Sequence, residues 1–254
     1  MQLSGESFEM VAFTGGGDPM PARALAEAMV LDLEYMPPFA HSGEAVAGKV
    51  SLPAPHDRFA VCMPLEVEGF GDVYVYADNG GRGYGAAEVA GRRLNFSLEA
   101  AESRVAAVAS AEERFREAGT RPSSDYEERM SRAKTLVEDA RAKTAEEVAC
   151  AKLAMRSLAE SLHAGEMLVV EHARARIAAA PRREGFLFGC NGFRYAELGE
   201  KYAELFGCLL NFATLPFYRA RTEAEEGVRD FSRVEKILKW TTRDGITVKG
   251  HPLV

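Results

Sequence analysis

Nothing in this chain reaches the about 18 consecutive apolar residues that mark a membrane-spanning helix, so no crossing helix is expected. The opening MQLSGESFEM has no basic n-region and no apolar h-region. It is not a signal peptide, which makes the cytoplasm the default compartment. Positive charge is in deficit, with 31 Lys and Arg against 38 Asp and Glu and a net charge of −7. A nucleic-acid protein needs a basic face for phosphate contacts, so that class is set aside. Cysteine is scarce. Cys62, Cys150, Cys190 and Cys208 show neither metal-ligand nor disulfide spacing, and they read as small buried hydrophobes. The Gly15-Gly16-Gly17 run lacks the G-x-G-x-x-G spacing of a dinucleotide fingerprint and no helix clearly follows it, so it reads as a flexible loop. No metal and no cofactor is expected.

What is present is an ordinary globular composition, 47% hydrophobic and 27% charged over 254 residues. That length suits one large domain or two to three small ones. The reading is a multidomain α+β chain in three regions: 1–93, 94–179 and 180–254.

Residues 1–93 read as β-rich and sandwich-like, in the manner of a jelly roll. Val73-Tyr74-Val75-Tyr76 is aromatic and β-branched, and it runs into the turn signal Asp78-Asn79-Gly80-Gly81. Phe59–Cys62 and Leu65–Val67 read as short strands broken by Pro64, and Ala22–Leu33 as a short helix. Tyr74, Tyr76 and Tyr84 are expected at the surface. Tyr74 and Tyr76 would share one strand face, either as a glycan-stacking platform or as a half-buried packing surface.

Residues 94–179 read as helical. Leu94, Leu98, Ala101, Val105, Val108 and Phe115 recur at three- and four-residue steps, with Glu112 as the polar exception. Gly119 and Pro122 end this helix. A second starts near Ser124 and turns Tyr126, Met130, Ala133 and Val137 inward. Thr144-Ala145-Glu146-Glu147 has the form of a capping box, opening a third helix from about 145 to 178 with a stripe that includes Val148, Leu158, Leu162, Leu168 and Val169. An antiparallel bundle follows from these stripes. The charged faces read as solvated surface or as a surface for a partner protein.

Residues 180–254 alternate strands with helices, which predicts βαβ units and a parallel sheet. The strands are expected at Phe186–Cys190, Cys208–Ala213 and Ile246–Gly250. Helices are expected near 195–206 and 231–243, with Phe231, Val234, Ile237, Leu238 and Trp240 near one face of the second. The terminal GITVKGHPLV reads as a core strand, so the chain is expected to be a piece of a longer one.

These segments resemble, in order and spacing, the opening of a family 10 glycoside hydrolase. Gly250-His251-Pro252-Leu253-Val254 resembles the motif G-H-T-L-V-W-H that closes the third strand of the family's (β/α)8 TIM barrel. The run Cys208 to Thr214, CLLNFAT, resembles the second strand, F-N-x-x-T. Glu225–Phe231 matches P-E-x-G-x-x-D-F, and Phe188–Asn191 takes the place of the first strand. A β-rich domain and a helical segment precede the barrel in some bacterial members.

The resemblance implies a hydrolase of the xylanase type, cleaving β-1,4-xylan or a related polysaccharide with retention. Retention needs two carboxyl groups about 5–5.5 Å apart. In the family these follow strands four and seven, and the chain stops at three. It implies no catalytic residue here, and an inactive chain as written. Glu225 and Glu226 read as solvated charges. His251 matches the histidine that hydrogen-bonds the sugar beside the cleaved bond. Asn191 either points toward the barrel mouth or caps the loop backbone. Tyr218 or Phe217 either stacks on sugar or packs inside. The run Leu215–Arg219 departs from the family's A-E-N-E-M-K-W, and Pro252 replaces its threonine, which puts ordinary xylan specificity in question. The other readings are a non-catalytic carbohydrate-binding module and an interaction module built on the helices.

Overall fold

The computed structural model describes residues 3–34, 40–41, 44–181 and 183–251. The chain divides into two compact units, Met1–Ala180 and Pro181–Val254. The change of pattern at 93/94 is therefore a change of secondary structure inside one unit, not a division between two.

The first unit opens with β1 (Leu3–Val11), α1 (Ala22–Leu25), β2 (Met29–Leu31), β3 (Ala40–His41), β4 (Ala45–Val46), β5 (Lys49–Pro55), β6 (Ala60–Val67), β7 (Gly71–Ala77), α2 (Ala86–Val89) and β8 (Arg93–Asn95). Among the described residues these strands form two four-stranded sheets, ordered β4-β5-β1-β8 and β3-β2-β6-β7. Pairing is antiparallel except for β1 with β8, where Met10 lies beside Leu94. Phe8, Met10, Val50 and Leu52 from one sheet share a core with Val61, Met63, Leu65 and Val75 from the other. Each large side chain fully buried there stabilises the unit by about 1.5–3 kcal/mol.

Three long helices complete the unit: α3 (Phe96–Glu117), α4 (Ser124–Arg141) and α5 (Glu147–Ala179). The third, at 1.5 Å per residue, is roughly 50 Å long. Thr120 and His172 meet near one end of the bundle, Ser123 bonds Glu171, and Asn95 bonds Glu147 at the other end. So α3 and α5 run parallel and α4 runs against both. Val137, Ala140, Cys150, Ala154 and Leu158 belong to the same core as the sheets, which is why the helices are not a separate domain. Val108, Tyr126, Met130, Ala164 and Leu168 form a second cluster inside the bundle. Glu112 accepts the Tyr126 hydroxyl at 2.9 Å and pairs with Arg116, which accounts for a carboxylate in the stripe.

Several local expectations are corrected. Helix α1 stops at Leu25, and Met29–Leu31 is a strand pairing with β6. Strand β6 runs unbroken through Pro64, because β2 pairs no further than Cys62 and the missing N–H falls beyond it. Thr144 caps nothing at α5. The Glu147 carboxylate is taken by Arg93 at 2.7 and 3.0 Å, and Glu146 holds the N-cap position without a side-chain capping bond, its carboxylate pairing with Lys143 instead. Val148 and Val169 lie outside the buried stripe of α5. Tyr84 is buried, not exposed, and its hydroxyl donates to Glu99 at 2.6 Å. Cys62 and Cys150 are buried as expected, but Cys190 and Cys208 are exposed. The 14–17 run is a turn closed by the Gly17 amide on the Thr14 carbonyl, with Gly17 at φ 93.

The second unit contains β9 (Gly189–Asn191), α6 (Tyr195–Leu198), α7 (Glu200–Gly207), β10 (Phe212–Pro216), α8 (Arg219–Thr222), α9 (Ser232–Arg243) and β11 (Thr247–His251). Its sheet is parallel with β10 in the centre, ordered β11-β10-β9. It is not closed into a barrel. Two strands sit later in sequence than expected. Phe186–Phe188 lie outside β9 and are exposed, and Cys208 is the C-cap of α7 rather than the start of β10. Ala213 and Leu215 pack against Val234, Ile237 and Trp240 of α9, with Tyr195, Ala203 and Phe206 from α6 and α7 in the same cluster. Trp240 stacks on Tyr195 at 4.4 Å and meets Phe206 edge-on at 5.2 Å. Phe231 and Leu238, expected near that face, are exposed.

Candidate functional site

Strand alternation sorts the second unit's residues onto two faces. Ala213 and Leu215 of β10 face the helices. The register pairs Thr214 with Asn191 on one side and with Lys249 on the other, and pairs Pro216 with His251. Asn191, Thr214, Lys249, Pro216 and His251 therefore share the face turned away from the helices. Asn191, Lys249 and His251 are exposed there.

The three residues singled out from sequence gather at the C-terminal ends of the parallel strands. Asn191 ends β9. Its carbonyl accepts the Tyr202 hydroxyl at 2.9 Å, while its side chain makes no hydrogen bond among the described residues. It caps no loop backbone, which leaves the amide available to a ligand. His251 ends β11, exposed, with its carbonyl accepting the Phe217 amide at 3.1 Å. Pro252, Leu253 and Val254, which carried part of the motif, lie outside the described residues. Tyr218 follows β10 and opens α8. Its ring meets Phe193 edge-on at 5.8 Å, and it keeps 36% of its surface. Phe217 instead packs toward Phe231 at 6.4 Å.

The motif segment 225–231 does structural work. Glu225 and Glu226 are exposed. Gly227, at φ 82, makes the turn, and its amide donates to the Glu223 carboxylate at 3.0 Å. That bond, with Arg219 and Arg229 nearby, holds the Glu223 carboxyl below the ordinary carboxylate value. Asp230 accepts the Ser232 amide at 2.8 Å just ahead of α9, and hydrogen bonds from the Ser232 side chain and backbone likewise lower its pKa. Glu223 went unnoticed in the sequence, where only its position four residues before a glycine marks it.

Chemically this is a polar rim of amide, imidazole and phenol on a strand-end platform. It can hydrogen-bond and stack on a hydroxylated ligand. Among the described residues no group of three or more His, Cys, Asp or Glu side chains could hold a metal. No family model matches the chain, and neither a curated protein nor a solved structure matches it.

Proposed function

We propose that the second unit is the opening of a (β/α)8 glycoside hydrolase barrel of the family 10 type, acting on xylan or a related β-linked polysaccharide. One observation carries the reading. Three parallel strands in sequential order have their helices packed on one face, and Asn191, Tyr218 and His251 come together at the strand ends, where barrel chemistry sits. The motif residues of 225–231 and 250–251 support the same family.

In this reading His251 bonds a sugar hydroxyl, Asn191 a neighbouring one, and Tyr218 offers a ring face. Protonation and attack belong to carboxylates on strands outside this chain. Three strands cannot close a barrel, so chain 1–254 by itself turns over no substrate. Incubation with xylan and release of reducing ends checks this, and turnover above the blank refutes it. The coding sequence past Val254 tests the family itself. It should read Trp-His next and later close a strand on Asn-Glu; finding neither overturns the assignment.

A second reading, a carbohydrate-binding module, has its own support. Tyr74 and Tyr76 are 53% and 41% exposed and alternate onto one face of β7.

A further inference from the structure

A groove of about 230 Å³ opens beside β7, the end strand of its sheet, against α3 and α5. Tyr74 and Tyr76 line one side, Arg104 of α3 another, and Leu158 and Leu162 of α5 its apolar wall. The tyrosine hydroxyls are tied down. Tyr74 donates to Glu27 at 2.9 Å, and Tyr76 is bonded to Cys62. What the two side chains offer the groove is their ring surface.

Arg104 is the unusual member. It stands between Ala101 and Val108 at helical three- and four-residue steps, in the apolar stripe of its own helix. Its Nε is buried without a hydrogen-bond partner among the described residues. Its guanidinium lies against the backbone of Gly165, where an added Cβ would come within 2.3 Å of Nη2. Other arginines of the unit, such as Arg93, Arg116, Arg129 and Arg132, hold carboxylates at 2.7–3.2 Å. Arg104 holds none. Glu166 of α5 acts on it only through space, and burial draws its pKa below the ordinary arginine value. Asp78 also lines the groove, but its Oδ1 accepts the Gly81 amide at 2.8 Å and its own amide donates to Ser103 at 2.9 Å. Arg104 as a whole is half-buried, and a partly desolvated cation with no bound partner costs stability unless something else supplies the anion.

We propose that this groove binds an acidic sugar residue, with Arg104 taking the carboxylate and Tyr74 and Tyr76 taking the ring. The guanidinium fork matches a carboxylate in two parallel hydrogen bonds. The volume falls below the roughly 300–1,000 Å³ of sites for drug-sized ligands, which suits one ring rather than a chain of them. The choice of a sugar to carry the carboxylate rests on the proposed function; the carboxylate itself rests on Arg104 alone.

The experiment titrates D-glucuronate, D-glucose and acetate into the full chain and follows the ring resonances of Tyr74 and Tyr76. Glucuronate should shift them and bind at least tenfold more tightly than glucose or acetate. Arg104→Met should abolish that binding and melt no lower than the parent, since it removes no partnered group. Gly165→Ala keeps the charge but displaces the guanidinium, and should weaken glucuronate at least fivefold. Equal binding of glucose or acetate, no shift with glucuronate, unchanged binding in either variant, or an Arg104→Met melting point several degrees lower each overturns the proposal. The resonances belong to residues 74 and 76, so failure of the barrel reading leaves this outcome untouched, and the reverse holds.

Discussion

Replacing Ile237 by alanine should unfold the second unit while leaving the first intact. Ile237 is fully buried, in one cluster with Val234, Trp240, Ala213 and Leu215. Truncating such a residue costs about 2–5 kcal/mol, as lost transfer energy plus the cavity left behind. A unit below about 70–80 residues draws only about 3–5 kcal/mol from a single core. At about 4–8 °C per kcal/mol, the midpoint should fall by about eight degrees or more. The measurement is direct, because Trp240 is the chain's single tryptophan and sits in that cluster. Its fluorescence follows the second unit, whereas far-UV circular dichroism is dominated by α3, α4 and α5 of the first. The fluorescence midpoint should drop and the dichroism midpoint should stay. A fluorescence midpoint that does not move refutes the packing described for Ile237. Two midpoints falling together refute the independence of the cores.

Gly189→Ala should detach β9 from β10, since the new Cβ would lie 1.8 Å from the Phe212 carbonyl oxygen. Overpacking of this kind typically costs about 1–3 kcal/mol and here meets rigid backbone, so the tryptophan transition should fall by at least that much in urea unfolding. Glu99 gives a pH signature. Burial raises its carboxyl above the ordinary value, with the Tyr84 hydroxyl partly opposing that. The folded state therefore binds the proton more tightly than the unfolded chain. The associated stability is complete below the unfolded pKa and is lost as pH rises through the folded one. Glu99→Gln should remove that loss, so its advantage over the parent should grow from pH 4 toward pH 7 in thermal melts; an advantage independent of pH contradicts it.

Much of the second unit was legible because its period changes are clean. The parallel order and the strand-end positions of Asn191 and His251 follow from three apolar runs and the helices between them. The run at Cys208-Leu209-Leu210 was misplaced because a short apolar stretch at a helix end has no period of its own. The Cys208 amide still donates to Glu204, so the chain there is finishing a helix. In the first unit, tertiary partners overrode local signals. Glu147 matches a capping box, yet Arg93 lies 54 residues away in sequence and captures it. Pro64 looks like a strand breaker, and only the length of β2 shows that it is not. Arg104 did not stand out in the sequence, where Ala101, Val105 and Val108 complete the stripe without it, and the groove it faces depends on β7, which no helical pattern reveals.

The parallel pairing of β1 with β8 has a consequence for synthesis. Residues 3–11 emerge well ahead of β8, and Met10 finds its neighbour Leu94 only after some eighty more residues have been added. Until then β1 has β5 on one flank and no strand on the other. Contacts this distant in sequence close slowly, whereas the turns of α3, α4 and α5 close within a few residues. A nascent chain paused before Asn95 therefore holds a first sheet that lacks its last strand, and chaperone engagement should concentrate in that interval of translation.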